Sequence, residues 1–538
     1  MKVLRSTTPH AAQKTTPKTM PPATPLAAPK TTPKDLAKPP NAGRHLLAID
    51  QGTTGTTVTI IHAKGHVVHK ANMEHRQYFP QPGWVEHRPD EIWKNVQSLI
   101  ESGLKSARIK ATDVAAIGIT NQRETVVAWD RRSSKTLSQA IVWQDRRTTK
   151  ECERIKAEPG IEQQVREKTG LVIDPYFSAS KIRWLLDNVS DLRTKAEKGE
   201  LAVGTIDSFL LWRLTGGAAH KTDVSNASRT QLMNIESGQW DEDLLKLFGV
   251  PAEILPEICN SAGLFGVTKG VKVLPDGVPI CGIAGDQQAA LFGQTCFAVG
   301  ESKCTFGTGS FLLMNTGTKR IASRAGLLTT IAWRLPNDQD FTYALEGGAF
   351  ICGAAVQFLR DQLGFIKESR DIEKLAAQVK STDGVEFVPA LSGLGAPYWD
   401  PHARGLICGL TRGTQPAHIA RATLEAMALQ NVEILLAMQE DLGSSMSSMR
   451  VDGGASANGL LMQMQADFLG VDVVRPEVIE TTSAGAAYLA GLGCGMFSSV
   501  DEIKKIWKID RTYRSKVTAS ERNERLQRWK VAVKRALT

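Results

Sequence analysis

HLLAIDQGTTGTTVTIIH, residues 45–62, is the stretch whose reading decides the fold. An apolar run, HLLAID, enters a Gly/Thr turn and leaves it as a second β-rich run, VTIIH, the pattern of two antiparallel strands joined tightly. A Lys-Gly turn and VVHKANMEH (67–75) extend the meander by a third strand. After Pro89 the period changes, and Ile92, Val96, Leu99 and Ile100 fall on one face of a helix over 90–107. AAIGIT (115–120) and TVVAW (125–129) then return to strand character.

The same opening recurs in the second half. ESKCTFGTGSFLLMNTG (301–317) is again strand, Gly/Thr turn, strand, followed by the strands TTIAW and TYALE and the helix AAVQFLRDQLG. Two unrelated α/β domains could each hold a hairpin. The ordered recurrence favours an internal duplication with a cleft between the halves.

Composition narrows the function classes. The chain has 538 residues, of which 42% are hydrophobic and 22% charged, enough for a sizeable core and against global disorder. No apolar run reaches the length of a membrane span, so no membrane insertion is expected. The net charge is +9, yet eight cations against Asp35 alone place +7 of it in residues 1–44. A near-neutral body with a basic end is a poor footprint for nucleic acid. Residues 1–44 are rich in Pro, Thr and Lys, repeat KTTPK at 14–18 and 30–34, and hold no Phe, Tyr, Trp or Ile. They read as a disordered extension without the apolar core of a secretory signal. The eight cysteines are scattered with no CxxC pair, which suits a reducing, cytoplasmic setting.

No GxxxxGK[ST] loop occurs, and GTGSFL (307–312) lacks the third glycine of a dinucleotide fingerprint. The two Gly/Thr turns are the remaining phosphate candidates: glycine admits a phosphate close to the backbone, and threonine adds a hydroxyl donor. Asp50, at a strand end before the first turn, suits Mg²⁺ or its waters. SMRVDGGASANGLLMQ (448–463) runs from a strand through VDGG into a helix from about Asn458, and suits another part of a nucleotide. In VPICGIAGDQQAALFGQ (278–294), Asp286 follows an apolar strand at a helix start, where it either meets a substrate or caps the helix. TNQRET (120–125) places Arg123 beside Glu124, a donor–acceptor pair for a hydroxylated substrate or a surface salt bridge. His62, His66 and His69 lie on a hairpin and read as a solvated turn. ERNERLQRWKVAVKRAL (521–537) is a basic amphipathic helix expected to pack on the body rather than on a membrane.

DQGTT (50–54), PGWVEH (82–87), GITNQRET (118–125), TGLVIDPYFSASK (169–181), AGDQQAALFGQ (284–294), GTGSF (307–311), GLGAPYWDP (393–401), GLTRG (409–413) and VDGGASAN (451–458) resemble the glycerol kinases, within the FGGY carbohydrate kinases. The two general FGGY patterns also stand at Tyr176–Asn188 and from Gly405 to Glu425. The resemblance implies an α/β fold of two actin-like (ribonuclease H-like) ATPase domains flanking a cleft, over 45–295 and 296–538. It implies phosphorylation of glycerol to sn-glycerol 3-phosphate by ATP with Mg²⁺. Carried onto matching positions, Arg123, Glu124, Tyr176, Asp286 and Gln287 would bind glycerol between Trp143 and Phe311. Asp286 would be the general base, and Asp50 with Asp286 would hold Mg²⁺. Thr53, Thr54 and Thr308 would contact phosphates, and Gly353, Gln357, Gly454 and Asn458 would line the nucleotide site. The resemblance leaves a homodimer or a homotetramer open.

Two positions depart from that pattern. Thr57 stands where family members commonly carry an arginine near the phosphates. VTKGVKVLPDG (267–277) does not match the loop that binds fructose 1,6-bisphosphate in some bacterial members, so no strong inhibition by that sugar phosphate is expected. The rival readings are a kinase of another polyol or sugar, a nucleotide-switch protein of the same fold, and an inactive kinase.

Overall fold

His45–Gln51 and Gly55–His62 pair antiparallel, Asp50 opposite Thr57, and Val67–Glu74 adds the third strand. The apolar run at the start is continuous because the strand is buried on both faces. Leu47 and Ile49 join one core cluster with Ile92, Val96 and Ile100 of the helix Pro89–Ala107, and Leu46 and Ala48 join another on the opposite side. That helix starts with proline in its first turn, followed by Asp90 and Glu91 against the positive helix end. The computed structural model describes residues 44–400 and 402–538, so the extension expected over 1–44 lies outside the described residues apart from Arg44.

The first sheet has six strands in the spatial order 262–267, 279–285, 114–121, 45–51, 55–62, 67–74. Its meander is antiparallel, whereas 114–121 runs parallel to both 45–51 and 279–285. The second sheet has seven strands in the order 328–333, 342–349, 310–317, 302–306, 448–452, 472–476, 509–513. There too an antiparallel set leads into parallel strands: 302–306 runs parallel to 448–452, and 448–452 to 472–476. The duplication expected from the two Gly/Thr hairpins is therefore a duplication of sheet topology, with one further edge strand, 328–333, in the second half. TVVAW belongs to a separate four-stranded sheet with 86–87, 140–141 and 201–205, so TNQRET bridges two sheets.

Two helices weld the halves. Asp286–Gly293 leaves the end of the first sheet, and Thr481–Gly493, from the far end of the chain, lies against it and across the first sheet. Their backbones meet closely: a Cβ on Gly485 would stand 1.8 Å from the Ala289 carbonyl oxygen, and one on Gly118 would stand 2.2 Å from that of Ala486. The cluster around them mixes Ala284, Ala289 and Phe292 with Leu313, Ala344, Ala487 and Tyr488, residues of both halves.

The basic helix forms over Ala519–Ala536 behind a Thr518/Glu521 capping box. It buries Trp529, Ala532 and Val533 against Val388, Ala390 and Leu429, and the Trp529 indole donates to Glu433 at 2.6 Å. Among the described residues no helix is long and apolar enough to cross a membrane. All eight cysteines are free, five of them buried.

Candidate active site

Asp286 opens its helix at the first helical position, with Gly285 as the N-cap. Its Oδ1 accepts the Gln287 N–H at 2.8 Å and lies 3.3 Å from Arg123 Nε. Its side chain keeps 26% of its exposure. Withdrawal from water pushes its carboxyl above the usual range, while Arg123 and Lys303 pull it back. The strand end behind it is pinned by a buried network: Gly285 N–H donates to Ser225 Oγ at 2.9 Å, and Ser225 donates to Asp223 at 3.0 Å.

The Arg-Glu pair of TNQRET is no surface salt bridge. Arg123 and Glu124 are 3% and 1% exposed. Glu124 sits in the left-handed backbone region at φ 64°, a conformation that a non-glycine residue holds only where its surroundings impose it. Here the Ser178 hydroxyl donates to the Glu124 carbonyl at 3.0 Å and Arg229 Nε donates to its Oε1 at 2.7 Å. Arg123 forms a two-pronged pair with Glu346 of the second sheet, at 2.5 and 2.9 Å. Burial alone would raise Glu346, but the two arginines hold its carboxyl at about 2.

Aromatic rings from both halves close the pocket. Trp143 packs edge-on to Tyr176 at 5.4 Å and to Phe311 at 6.3 Å between ring centres. The Trp143 indole donates to Thr53 Oγ1 at 2.9 Å, joining the aromatic wall to the first Gly/Thr turn. Tyr176 is held by a buried lysine, Lys181, whose ammonium donates to the carbonyls of Pro175, Tyr176 and Phe177. Lys303, buried in the second sheet, donates to Gln287 Oε1, to Thr305 Oγ1 at 2.9 Å and to the Phe311 carbonyl at 3.4 Å.

The second Gly/Thr turn meets a helix start. Cys352 N–H and Ala354 N–H donate to the Thr308 carbonyl at 2.8 and 3.1 Å, and Gly353 N–H to that of Gly307 at 3.0 Å. A side chain at Gly353 would bring Cβ within 2.7 Å of the Gly307 oxygen. Thr54 and Thr308 are exposed at their turns, and Gln357 is exposed on the helix Gly353–Asp361. Gly454 opens a short 3-10 turn, and the Asn458 side chain caps the next helix by accepting Leu461 N–H at 2.9 Å. Asn458 is thus already engaged in capping.

Asp50 faces Asp286. Burial and then the charge of Asp286 push its carboxyl up to about 7, opposed mainly by the Ser483 hydroxyl, whose oxygen lies 3.4 Å away. Two carboxylates, one raised by the charge of the other in a partly dry site, fit a hard divalent cation. Among the described residues no group of three or more His, Cys, Asp or Glu side chains is arranged to hold a metal. A magnesium ion needs no such cage, because one or two carboxylates and nucleotide phosphates suffice. His62 and His66 merely stack, at 4.6 Å between ring centres.

Arg229, Glu346 and Lys303 were not among the residues expected from sequence. Each lies in an unremarkable context, NASRTQL, TYALEGG and ESKCT, and a lone buried charge in an apolar strand is the one signal that marks two of them.

Residues 45–293 match the N-terminal domain of the FGGY family of carbohydrate kinases, and residues 302–494 match its C-terminal domain. The chain belongs to that family. Among its relatives, a protein of Bdellovibrio bacteriovorus named glycerol kinase is 61% identical over 490 residues, covering 91% of this chain and 99% of the relative. Another so named, from Myxococcus xanthus, is 55% identical over 493 residues, covering 92% and 99%. The crystal structure of Plasmodium falciparum glycerol kinase with ADP matches at a TM-score of 0.85 and 38% identity, covering 92% of this chain and 98% of that one. The fold is the two-domain, actin-like architecture of these kinases.

Proposed function

We propose that the protein transfers the γ-phosphoryl group of ATP to a terminal hydroxyl of glycerol, giving sn-glycerol 3-phosphate and ADP. The observation that carries the reading is the placement of Asp286, next to the buried Arg123–Glu124 pair and on the helix that bridges the two Gly/Thr hairpin domains. Glycerol is neutral, with three hydroxyls and a short carbon chain. Arg123 donates to it, Glu124 accepts from it, and Trp143, Tyr176 and Phe311 cover its carbon face.

Asp286 Oδ1 is engaged by Gln287 N–H and Arg123, which leaves Oδ2 to take the hydroxyl proton. The freed oxygen attacks the γ-phosphorus as its bond to the bridging oxygen of ADP breaks, so the proton ends on Asp286 and the negative charge on ADP. Thr53, Thr54 and Thr308 offer hydroxyls to the phosphates, while Gly353, Gln357, Gly454 and Asn458 border the rest of the nucleotide. Asp50 and Asp286 would hold magnesium, which supplies charge neutralisation at the phosphates when bound. Most of the barrier is lowered by positioning and electrostatics, and a site assembled from two domains provides both. Thr57, in place of the family arginine, accepts from Asn72 at 2.9 Å and supplies no cation of its own. Eight free thiols and the need for ATP support a cytoplasmic setting.

A coupled ADP-release assay over glycerol, xylulose, gluconate and no acceptor tests the reading. ADP release that depends on glycerol is expected. Preference for a sugar, or slow hydrolysis indifferent to every acceptor, overturns it.

A further inference from the structure

Four charged side chains meet beneath the aromatic pocket, and two of them, Arg229 and Glu346, have no role assigned above. It is 0% exposed, and Glu124, Glu346 and Arg123 are 1%, 2% and 3% exposed. Arg229 comes from the turn after the short helix Val224–Ala227 in the first half, and Glu346 from the strand Thr342–Ala349 in the second. Arg229 Nε donates to Glu124 Oε1 at 2.7 Å, and Arg229 Nη2 to Glu346 Oε1 at 3.0 Å. Glu346 also receives both prongs of Arg123, whose Nε lies 3.3 Å from Asp286. The result is an unbroken chain of charge, Glu124–Arg229–Glu346–Arg123–Asp286, that crosses from one half of the molecule to the other and back.

Buried ions stay in place only while their partners do. Arg123 Nε stands 3.8 Å from Glu124, too far for a hydrogen bond, so Arg229 is the cation that fixes this carboxylate. It takes Oε1 and leaves Oε2 to accept a substrate hydroxyl. The guanidinium also lies 5.8 Å from the ring centre of Tyr176 and 5.3 Å from that of Phe177, so the same group supports the aromatic wall. Its remaining nitrogen, Nη1, has no hydrogen-bond partner although it is buried. A fully paired structural bridge would leave no such donor, and the arrangement is the one expected where geometry at a site outranks satisfaction of every group.

We propose that Arg229 is a positioning residue for the polyol: it sets Glu124 directly and Arg123 through Glu346, and so couples the acceptor site to the nucleotide-bearing half. This rests on the glycerol reading. It concerns affinity for the acceptor, and the nucleotide loops of the second sheet are touched only through Glu346.

The test is steady-state kinetics with glycerol and calorimetric ADP binding for the wild type, R229K, E124Q and the double variant. Lysine keeps the charge but not the fork. In R229K the glycerol KM is expected to rise roughly ten- to hundredfold, the loss typical of a hydrogen bond to a charged group, with ADP affinity held to within about twofold. In the E124Q background the same change should add less than about twofold, because the carboxylate it positions is already gone. A glycerol KM unmoved in R229K, parallel losses in ADP binding, or independent multiplication of the two effects would each overturn the proposal. Should R229K not fold, E346Q reads the same chain from its other anion, and an unchanged glycerol KM there overturns it as well. Absence of glycerol-dependent turnover in the wild type is a different failure, which removes the glycerol reading and the inference together.

Discussion

Asp286 and Asp452 each stand at the end of an inner parallel strand next to a glycine, one strand further from the hairpin in the first half than in the second. Their exposure differs. Asp452 is 1% exposed, and its Oδ2 accepts from Gln294 Nε2 at 2.8 Å and from Thr481 Oγ1 at 2.6 Å. Asp286 has one oxygen spoken for and keeps a quarter of its exposure. The hairpins differ in the same sense. The residue two before the first glycine of the turn is Asp50 in the first half and Thr305 in the second, where Lys303 occupies it. The first half sets Asp50 and Asp286 at or beside strand ends, and the second sets Thr305 and Asp452 there. What separates the two acids is exposure, since each has two donors at one oxygen.

The sharpest way to break this comparison is to neutralise the first aspartate. D286N should lower glycerol-dependent turnover by roughly 10²- to 10⁴-fold, the range of a lost general base, with calorimetric ADP binding retained. Near-normal turnover would remove Asp286 as the base.

Acid should separate the halves by stability. Burial holds the imidazoles of His87 and His220 down to about 3, and both belong to the first half. In the second half His402 is exposed and His418 partly so. Because the folded value lies below the unfolded one of 6.5, the stability these groups contribute is complete above pH 6.5 and is lost as pH falls towards 3. Between pH 6.5 and 5 each costs about 2 kcal/mol. Hydrogen exchange at pH 5 should therefore show peptides around 86–87 and 200–222 opening before the second sheet. The reverse order would contradict the assignment.

D452N should behave as a structural lesion, since the amide turns a donor towards Gln294 or Thr481. About 1–3 kcal/mol of stability should go, read as a lower melting temperature, while turnover at room temperature stays near the wild type. A collapse of turnover matching D286N would erase the distinction between the two acids.

The smallest effect concerns the second hairpin. G353A forces Cβ against the Gly307 carbonyl and should raise the ATP KM by about tenfold, equivalent to about 1.4 kcal/mol, with the glycerol KM little changed. If the glycerol KM rises instead, the hairpin serves the acceptor.

Much of this arrangement is written locally. Both hairpins, the helix after Pro89, Asp286 at its helix start and the basic C-terminal helix follow from patterns a few residues long, because turns, caps and amphipathic faces are made by near neighbours. Resemblance over the quoted motifs added the polyol pair Arg123–Glu124 and the aromatic walls. The residues of TNQRET left both a substrate pair and a surface bridge open, and burial excluded the surface bridge. Arg229 stayed silent in NASRTQL, and Glu346 and Lys303 showed only as lone charges in apolar strands, which does not tell a site residue from an incidental one.

The sequence by itself determined the duplicated α/β plan, the places of the two Gly/Thr turns and the place of Asp286 at a helix start, all set by short-range periodicity and backbone preference. Only the tertiary structure decided which carboxylate keeps its exposure and which is buried, and how Glu124 is held. Those depend on partners contributed by strands and turns far apart in the chain, and the strength of a buried charge is fixed by its partners and its distance from water, neither of which a residue's neighbours in sequence can specify.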